Sequence, residues 1–180
     1  MIVDREAPAR RPAGPPALYQ RWSELLFLHW EVDPARLRAL LPPRLELDTW
    51  EGRALVGLVP FTMSRIRPGW APAVPWLSAF HETNVRTYVL LDGEPGVWFF
   101  SLEAARLPGV LIGRTLWGLG YRWARMRLEL EGARRRYRSR RRWPGPTPAG
   151  VDVEGELLGT PAPAASGTLA HFLVERYVLY

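Results

Sequence analysis

The chain has no cysteine, which excludes disulfides, thiolate metal sites and cysteine nucleophiles together. It has no lysine either: all 24 basic residues are arginine. No side chain can therefore form a Schiff base, a step that requires a deprotonatable amine. Histidine is scarce, and His29, His81 and His171 stand singly, which reads as packed or surface histidines and no metal site. "HETNV" begins like the zinc motif HExxH, but Val85 replaces the second histidine, and a strand would point His81 and Val85 away from Glu82. No G-x-S-x-G elbow and no P-loop occur, and "GLGYRW" lacks the third glycine of a dinucleotide fingerprint. No cofactor is expected. No apolar run approaches the ~20 residues needed to span a bilayer, and "MIVDREAPARRPAGPP" places acids and prolines where a signal peptide would be apolar. The expectation is a cytoplasmic protein with no membrane partner.

What is present bounds the rest. At 180 residues the chain is read as one domain, large enough to bury roughly 70% of the surface its unfolded form exposes. The absence of lysine beside abundant Ala, Gly and Pro fits the codon bias of a GC-rich bacterial genome, so arginine need not be a functional choice at each position. The net charge of +6 is local: from Arg122 to Arg142 ten arginines face two glutamates, a net of +8 that leaves −2 for the remainder.

Residues 1–20 read as a flexible Pro- and Arg-rich tail, and residues 21–180 as the folded domain. "WSELLFLHWEV" reads as a first strand, and Asp33 with Pro34 starts a short helix that runs to Leu41. Two strands meet around Glu51-Gly52, and a Pro/Trp-rich loop follows over 67–77. "FHETNVRTYV" and "VWFFSLEA" form a hairpin, a short helix covers 108–117, and a second hairpin turns at Gly132. Loops are expected at 144–150 and 161–167, with a strand between them, and Ser166 or Thr168 caps a last helix. Short strands with few helices imply a β-rich α+β domain built on a curved sheet or barrel.

The hairpin carries the polar residues of interest. Strand alternation puts Glu82, Asn84 and Arg86 on one face between Phe80 and Tyr88. A two-residue turn at Asp92-Gly93 places Glu82 opposite Glu103 and Asn84 opposite Ser101. Pro95 favours a four-residue turn, which places Asn84 opposite Glu103 and Arg86 opposite Ser101. Either turn adds Ser101 and Glu103 to the row, while Thr83, Val85 and Thr87 pack on the reverse side. The row is the wet face of a half-buried sheet, a closed salt-bridge network, or a cavity wall mixing aromatic area with convergent polar groups.

"RRRYRSRRRW" is the other candidate. Arg134, Arg136, Arg138, Arg140 and Arg142 line one strand face, and guanidiniums interleaved with Tyr137 and Trp143 suit single-stranded nucleic acid. The competing reading, which is favoured, is a charged edge strand protected against edge-to-edge pairing.

"HW" at His29-Trp30, "LPPRLELDTWEGRALVGLVPFTM", "FHETNVRTYV", "GVWFFSLEA" and "FLVERYVLY" together closely resemble an uncharacterised bacterial family called YqjF-like, within the acetoacetate decarboxylase-like superfamily. The resemblance covers about Trp22 to Tyr180. It implies an antiparallel, cone-shaped β-barrel or strongly curved sheet around a cavity. It also makes Glu82 the counterpart of the decarboxylase's active-site glutamate, with Tyr121 and Arg122 near the positions of its lysine pair. With no lysine the chain departs from the decarboxylase pattern, and Schiff-base decarboxylation is not expected. The family pattern usually has Pro where this chain has Gly120 and tends to continue past "ERYVLY", which raises the expectation that a final strand or tail is missing or supplied otherwise.

The expected ligand is a small organic anion, with Arg86 and Arg114 as its carboxylate partners because guanidinium grips carboxylate bidentately. Arg114 shares helical spacing with Leu111 and Trp117, which aims it inward. Glu82, its pKa raised by nearby Glu103, and Tyr121 are the acid/base candidates, with Asn84, Ser101 and Glu103 completing the site. A non-catalytic ligand-binding or structural domain and RNA binding through residues 134–142 are the alternatives, and a homo-oligomer is left open.

Overall fold

Backbone conformations at a few residues divide the chain into its elements. The computed structural model describes residues 3–10, 12–145, 148–160 and 162–180. Parts of the expected tail (residues 1, 2 and 11) and of the two late loops (146, 147 and 161) lie outside the described residues. The stretch read as one strand is two, β1 (Leu18–Ser23) and β2 (Leu28–Val32), because Glu24 takes a φ of 52° and ends the extended run. Helix α1 (Pro34–Arg38) starts where Asp33 accepts a hydrogen bond from the Arg36 amide at 2.8 Å. Strands β3 (Glu46–Leu47) and β4 (Ala54–Pro68) flank the turn at Glu51-Gly52, both with positive φ.

Strands β5 (Phe80–Leu91) and β6 (Glu94–Ala104) form the central hairpin. Its turn has two residues, with Leu91 opposite Glu94. Asp92 at φ 53° and Gly93 at φ 84° both occupy the left-handed region, the requirement of a type I′ turn, and this outweighs the longer loop inferred from Pro95. Helix α2 (Leu107–Leu116) then carries the chain over the sheet to β7 (Tyr121–Glu131), which pairs with β6 in parallel, whereas the other named strand pairs are antiparallel; an isolated parallel bridge also joins Val97 of β6 to Leu179. β8 (Arg134–Trp143) and β9 (Gly150–Glu156) follow by hairpins, and α3 (Leu169–Val174) is capped by Thr168.

The sheet order is β1-β4-β5-β6-β7-β8-β9, with β2 added to β4 and β3 to β5. The sheet is curved but does not close, since β1 and β9 do not pair with each other. Curvature brings β8 across to the far side: the Tyr137 ring meets the His81 ring edge-on at 6.2 Å, and its hydroxyl donates to the Glu24 carbonyl. β5 is consequently covered on both faces, with Tyr88 and Val89 fully buried. Apolar clusters around Tyr88, Val97 and Phe172, and around Val59, Phe61 and Met63, hold the face that carries Glu82. The segment expected as a tail contributes Arg5, whose guanidinium pairs with Asp48, and regular pairing begins at Leu18 rather than at residue 21. Among the described residues no helix is long and apolar enough to cross a membrane.

Candidate functional site

Glu82, Asn84 and Arg86 keep only 3%, 3% and 4% of their surface exposed. Opposite them on β4 stand Phe61, Val59 and Gly57, and on β6 Ala104, Leu102 and Phe99. The parallel register sets Tyr121 beside Leu102, on the same face as Asn84. Gly113 of α2 lies so close to the Tyr121 ring that a Cβ there would sit 2.6 Å from Cδ2. Pressed between α2 and the sheet, Tyr121 donates its hydroxyl hydrogen to Glu82 Oε2 at 2.9 Å.

Burial sets the protonation of this pair. Loss of water pushes the Glu82 carboxyl up to about 8, only partly offset by the Tyr121 hydrogen bond, and burial together with the Glu82 charge raises the Tyr121 phenol. At neutral pH Glu82 is thus chiefly a neutral acid. Glu103 has no part in this shift.

Arg86 is a buried cation with no carboxylate in ion-pair reach among the described residues. Its Nη2 donates to the Leu173 carbonyl at 3.0 Å, and its Cζ lies 5.1 Å from the Phe27 ring centre and 5.7 Å from that of Tyr88. Two buried polar atoms of the row lack protein partners: Arg86 Nε and Asn84 Oδ1. Such groups are uncommon in folded proteins and call for a water, ion or ligand partner.

His29 joins this cluster although the residue row did not point to it. Register places it over Gly57, where a Cβ would meet its Nε2 at 2.9 Å. Nε2 lies 2.7 Å from the Tyr88 hydroxyl, which donates onward to the Leu173 carbonyl at 3.1 Å. Burial first, and the Arg86 charge second, lower the His29 pKa to about 4, so the ring is neutral. Alternation along β5 extends the row to Tyr88, but nothing in the sequence reveals which β2 residue lies above it.

Ser101 and Glu103 are not part of the row. Pairing shifts by one residue between Arg86↔Phe99 and Val85↔Ser101, which leaves Phe100 as a β-bulge. Beyond the bulge Ser101 and Glu103 stand opposite Val85 and Thr83, on the other face of the sheet. There Glu103 accepts from the Ser101 hydroxyl at 2.8 Å and pairs with Arg141, which also donates to Ser101 at 3.0 Å. Arg114 is exposed: it donates to the Tyr121 carbonyl at 2.9 Å and lies 5.4 Å from the Trp143 ring centre, not inside the row.

The arginine strand is not an edge, since β8 pairs with β7 on one side and β9 on the other. Its charges are largely matched: Arg134 with Glu154, Arg135 with Glu24, Arg136 with Asp152, Arg138 with Glu129 and Arg141 with Glu103. Among the described residues no group of three or more His, Asp or Glu side chains is placed to hold a metal.

Residues 19–180 match a family profile described as an uncharacterized conserved protein, DUF2071. The uncharacterized protein YqjF of Bacillus subtilis is 39% identical over 169 residues, spanning 94% of this chain and 69% of that protein. Among solved structures, acetoacetate decarboxylase from Legionella pneumophila aligns with a TM-score of 0.55 at 23% identity, over 71% of this chain and 46% of that one. An acetoacetate decarboxylase-like enzyme from Sphingomonas wittichii aligns at 0.53 and 20% identity, over 68% and 52% of the two chains. The enduracididine biosynthesis enzyme MppR complexed with pyruvate aligns at 0.52 and 17% identity, over 70% and 52%. These likenesses are of fold, and the chain spans about half the length of each solved structure.

Proposed function

The chain belongs to the DUF2071 family of uncharacterized conserved proteins and has an acetoacetate decarboxylase-like fold, and from that premise we propose that the row Glu82, Asn84 and Arg86 binds a small organic anion without Schiff-base chemistry. The observation that carries this reading is Arg86, a guanidinium buried to 4% exposure with no acidic partner among the described residues and an unpaired Nε. A buried charge without a counterion is costly, and a bound carboxylate relieves that cost through a charge-assisted hydrogen bond. Asn84 Oδ1, one alternate position along the strand and also unpaired, accepts from a hydroxyl of the ligand or from a water bound with it.

Glu82 and Tyr121 extend the site. A neutral carboxyl beside a phenol can donate a hydrogen bond to a carbonyl oxygen, and a carboxyl titrating near 8 can exchange a proton at physiological pH. Glu82 and Arg86 are four residues apart, roughly 13 Å along the strand, so one small ligand engages both only where the side chains lean together. Any chemistry at this site is lysine-independent acid/base chemistry on a carboxylate or carbonyl compound.

The test is thermal stabilisation by pyruvate, acetoacetate and lactate, pyruvate being bound by one fold relative. Arg86→Ala strands no carboxylate, so it should cost little stability yet remove the stabilisation. A large loss of stability with no ligand effect in the parent protein would instead mark a closed structural network.

A further inference from the structure

A cleft of about 800 Å³ opens where β6 stops pairing with β7. Parallel pairing joins only Leu102–Ala104 to Tyr121–Trp123, so from Ala124 onward β7 has no β6 partner. At the same point the β7–β8 register shifts: Trp123 faces Trp143 but Ala124 faces Arg141, which leaves Arg142 bulged out of the pairing. The split is lined by Phe80, His81, Arg106, Trp123, Arg125 and Arg142, among others.

Its charge is one-sided. Among the described residues three arginines line it and no acidic residue does. None of the three makes an ion pair among the described residues, in contrast to the five matched arginines of β8. Arg106 is also the N-cap of α2, whose first turn receives no side-chain cap, so the positive end of a ten-residue helix begins at the rim. Burial first, and the Arg106 charge second, lower the pKa of His81, which lines the cleft. The aromatic faces of Phe80 and Trp123 supply apolar wall between these charges. The volume lies within the range of about 300–1,000 Å³ occupied by small-molecule sites.

We infer that this cleft binds a small ligand joining an oxyanion headgroup, phosphate or carboxylate, to a flat apolar body. Two or more guanidiniums grip the oxyanion, and the body lies against Trp123 and Phe80. Glu82 and Arg86 are not among its lining residues, so the site stands apart from the row and is independent of the function proposed for it.

Isothermal titration of the full chain at low ionic strength with phenyl phosphate, phenylacetate and inorganic phosphate tests this. At least one aryl anion should bind saturably, at least tenfold more tightly than inorganic phosphate, and the preferred aryl anion identifies the headgroup. The exposed double substitution Arg125→Gln with Arg142→Gln should weaken that binding at least tenfold, and Arg86→Ala should leave it unchanged. Should the double variant not fold, Arg106→Gln alone should still weaken binding at least threefold. The inference is overturned by an absence of saturable aryl-anion binding, by arginine variants that bind like the parent, or by loss of binding on Arg86→Ala alone.

Discussion

The Tyr121 hydroxyl donates to Glu82 Oε2 at 2.9 Å, joining β7 to β5 across the intervening β6. The bond depends on the parallel β6–β7 register and on Gly113, which lets α2 settle against the phenol ring. It holds a carboxyl in a site where the charged form is disfavoured.

Glu82 therefore gives stability a distinctive pH dependence. Its folded pKa of about 8 lies above the ordinary glutamate value of 4.5, so between those values the folded state holds a proton that the unfolded state has lost. Stability should fall as pH rises through that window, by up to about 1.4 kcal/mol per pH unit. His29 has the opposite sign: its folded pKa of about 4 lies below 6.5, so its contribution is complete above 6.5 and is lost as pH falls toward 4. Below 6.5 His29 and His81, the latter's pKa lowered by burial and then by the Arg106 charge, oppose Glu82, and above 6.5 both rings are neutral folded and unfolded, so they no longer offset it. Denaturant unfolding at pH 6.5 and 8 should show the loss in the parent protein, and Glu82→Gln should flatten it. Equal slopes in the two proteins would contradict the assignment.

Most of this architecture was legible from local signals. The Gly132 turn, the Asp33 and Thr168 caps and the alternation of β5 all follow from residue chemistry within a few positions, whereas Pro95 pointed to a four-residue loop where Asp92-Gly93 forms a two-residue turn. That alternation puts Glu82, Asn84 and Arg86 on one face, and the face is buried. The bulge at Phe100 was not legible, because an extra residue in one strand leaves no trace in alternation, and it moved Ser101 and Glu103 to the other face. The place of β8 was hidden for a related reason. Seven arginines in ten residues read as an edge until the acids of β7 and β9 are set beside them.

The Glu103–Arg141 pair should behave as structure. Both side chains are largely buried, and Arg141 also satisfies Ser101. Arg141→Ala leaves a buried carboxylate uncompensated and should cost about 3–5 kcal/mol in denaturant unfolding. Arg141→Met with Glu103→Leu removes both charges and should recover most of that loss. A double variant no more stable than Arg141→Ala would show that the cost lies in packing.

Gly57 should be intolerant of even one methyl group. A Cβ there would meet His29 Nε2 at 2.9 Å, so Gly57→Ala must displace the ring from the Tyr88 hydroxyl. The expected cost is about 1–3 kcal/mol, and the displaced His29 should protonate at higher pH as water reaches it. Proton NMR titration of the ring reads the second effect. In a His29→Ala background the Gly57→Ala cost should shrink, which separates the clash from any backbone effect.

The matched charges of β8 predict weak and undiscriminating interaction with nucleic acid. Arg138 already serves Glu129 and Arg136 already serves Asp152, so phosphate contacts at these positions must displace existing ion pairs. Binding to mixed single-stranded RNA near physiological salt should be weak, and replacing Arg136 and Arg138 with Gln should change it little. Tight binding with a steep salt dependence, abolished by those substitutions, would reverse this reading.

The last prediction follows from the one residue type whose absence has the largest chemical consequence. Fold relatives include an acetoacetate decarboxylase, yet this chain has no lysine at any position. Imine formation needs an uncharged primary amine to attack a carbonyl carbon and then lose water. A guanidinium stays protonated near neutral pH and supplies no such amine, so Arg122, beside Tyr121, cannot stand in for it. The only primary amine the covalent structure offers is that of the amino terminus. Borohydride reduction in the presence of acetoacetate or pyruvate should therefore leave every internal peptide at its unmodified mass. Any adduct should map to the first peptide alone and vanish after the terminus is acetylated. An internal reduced adduct found by peptide mass mapping would show that the chain has a route to covalent catalysis that its side chains do not provide.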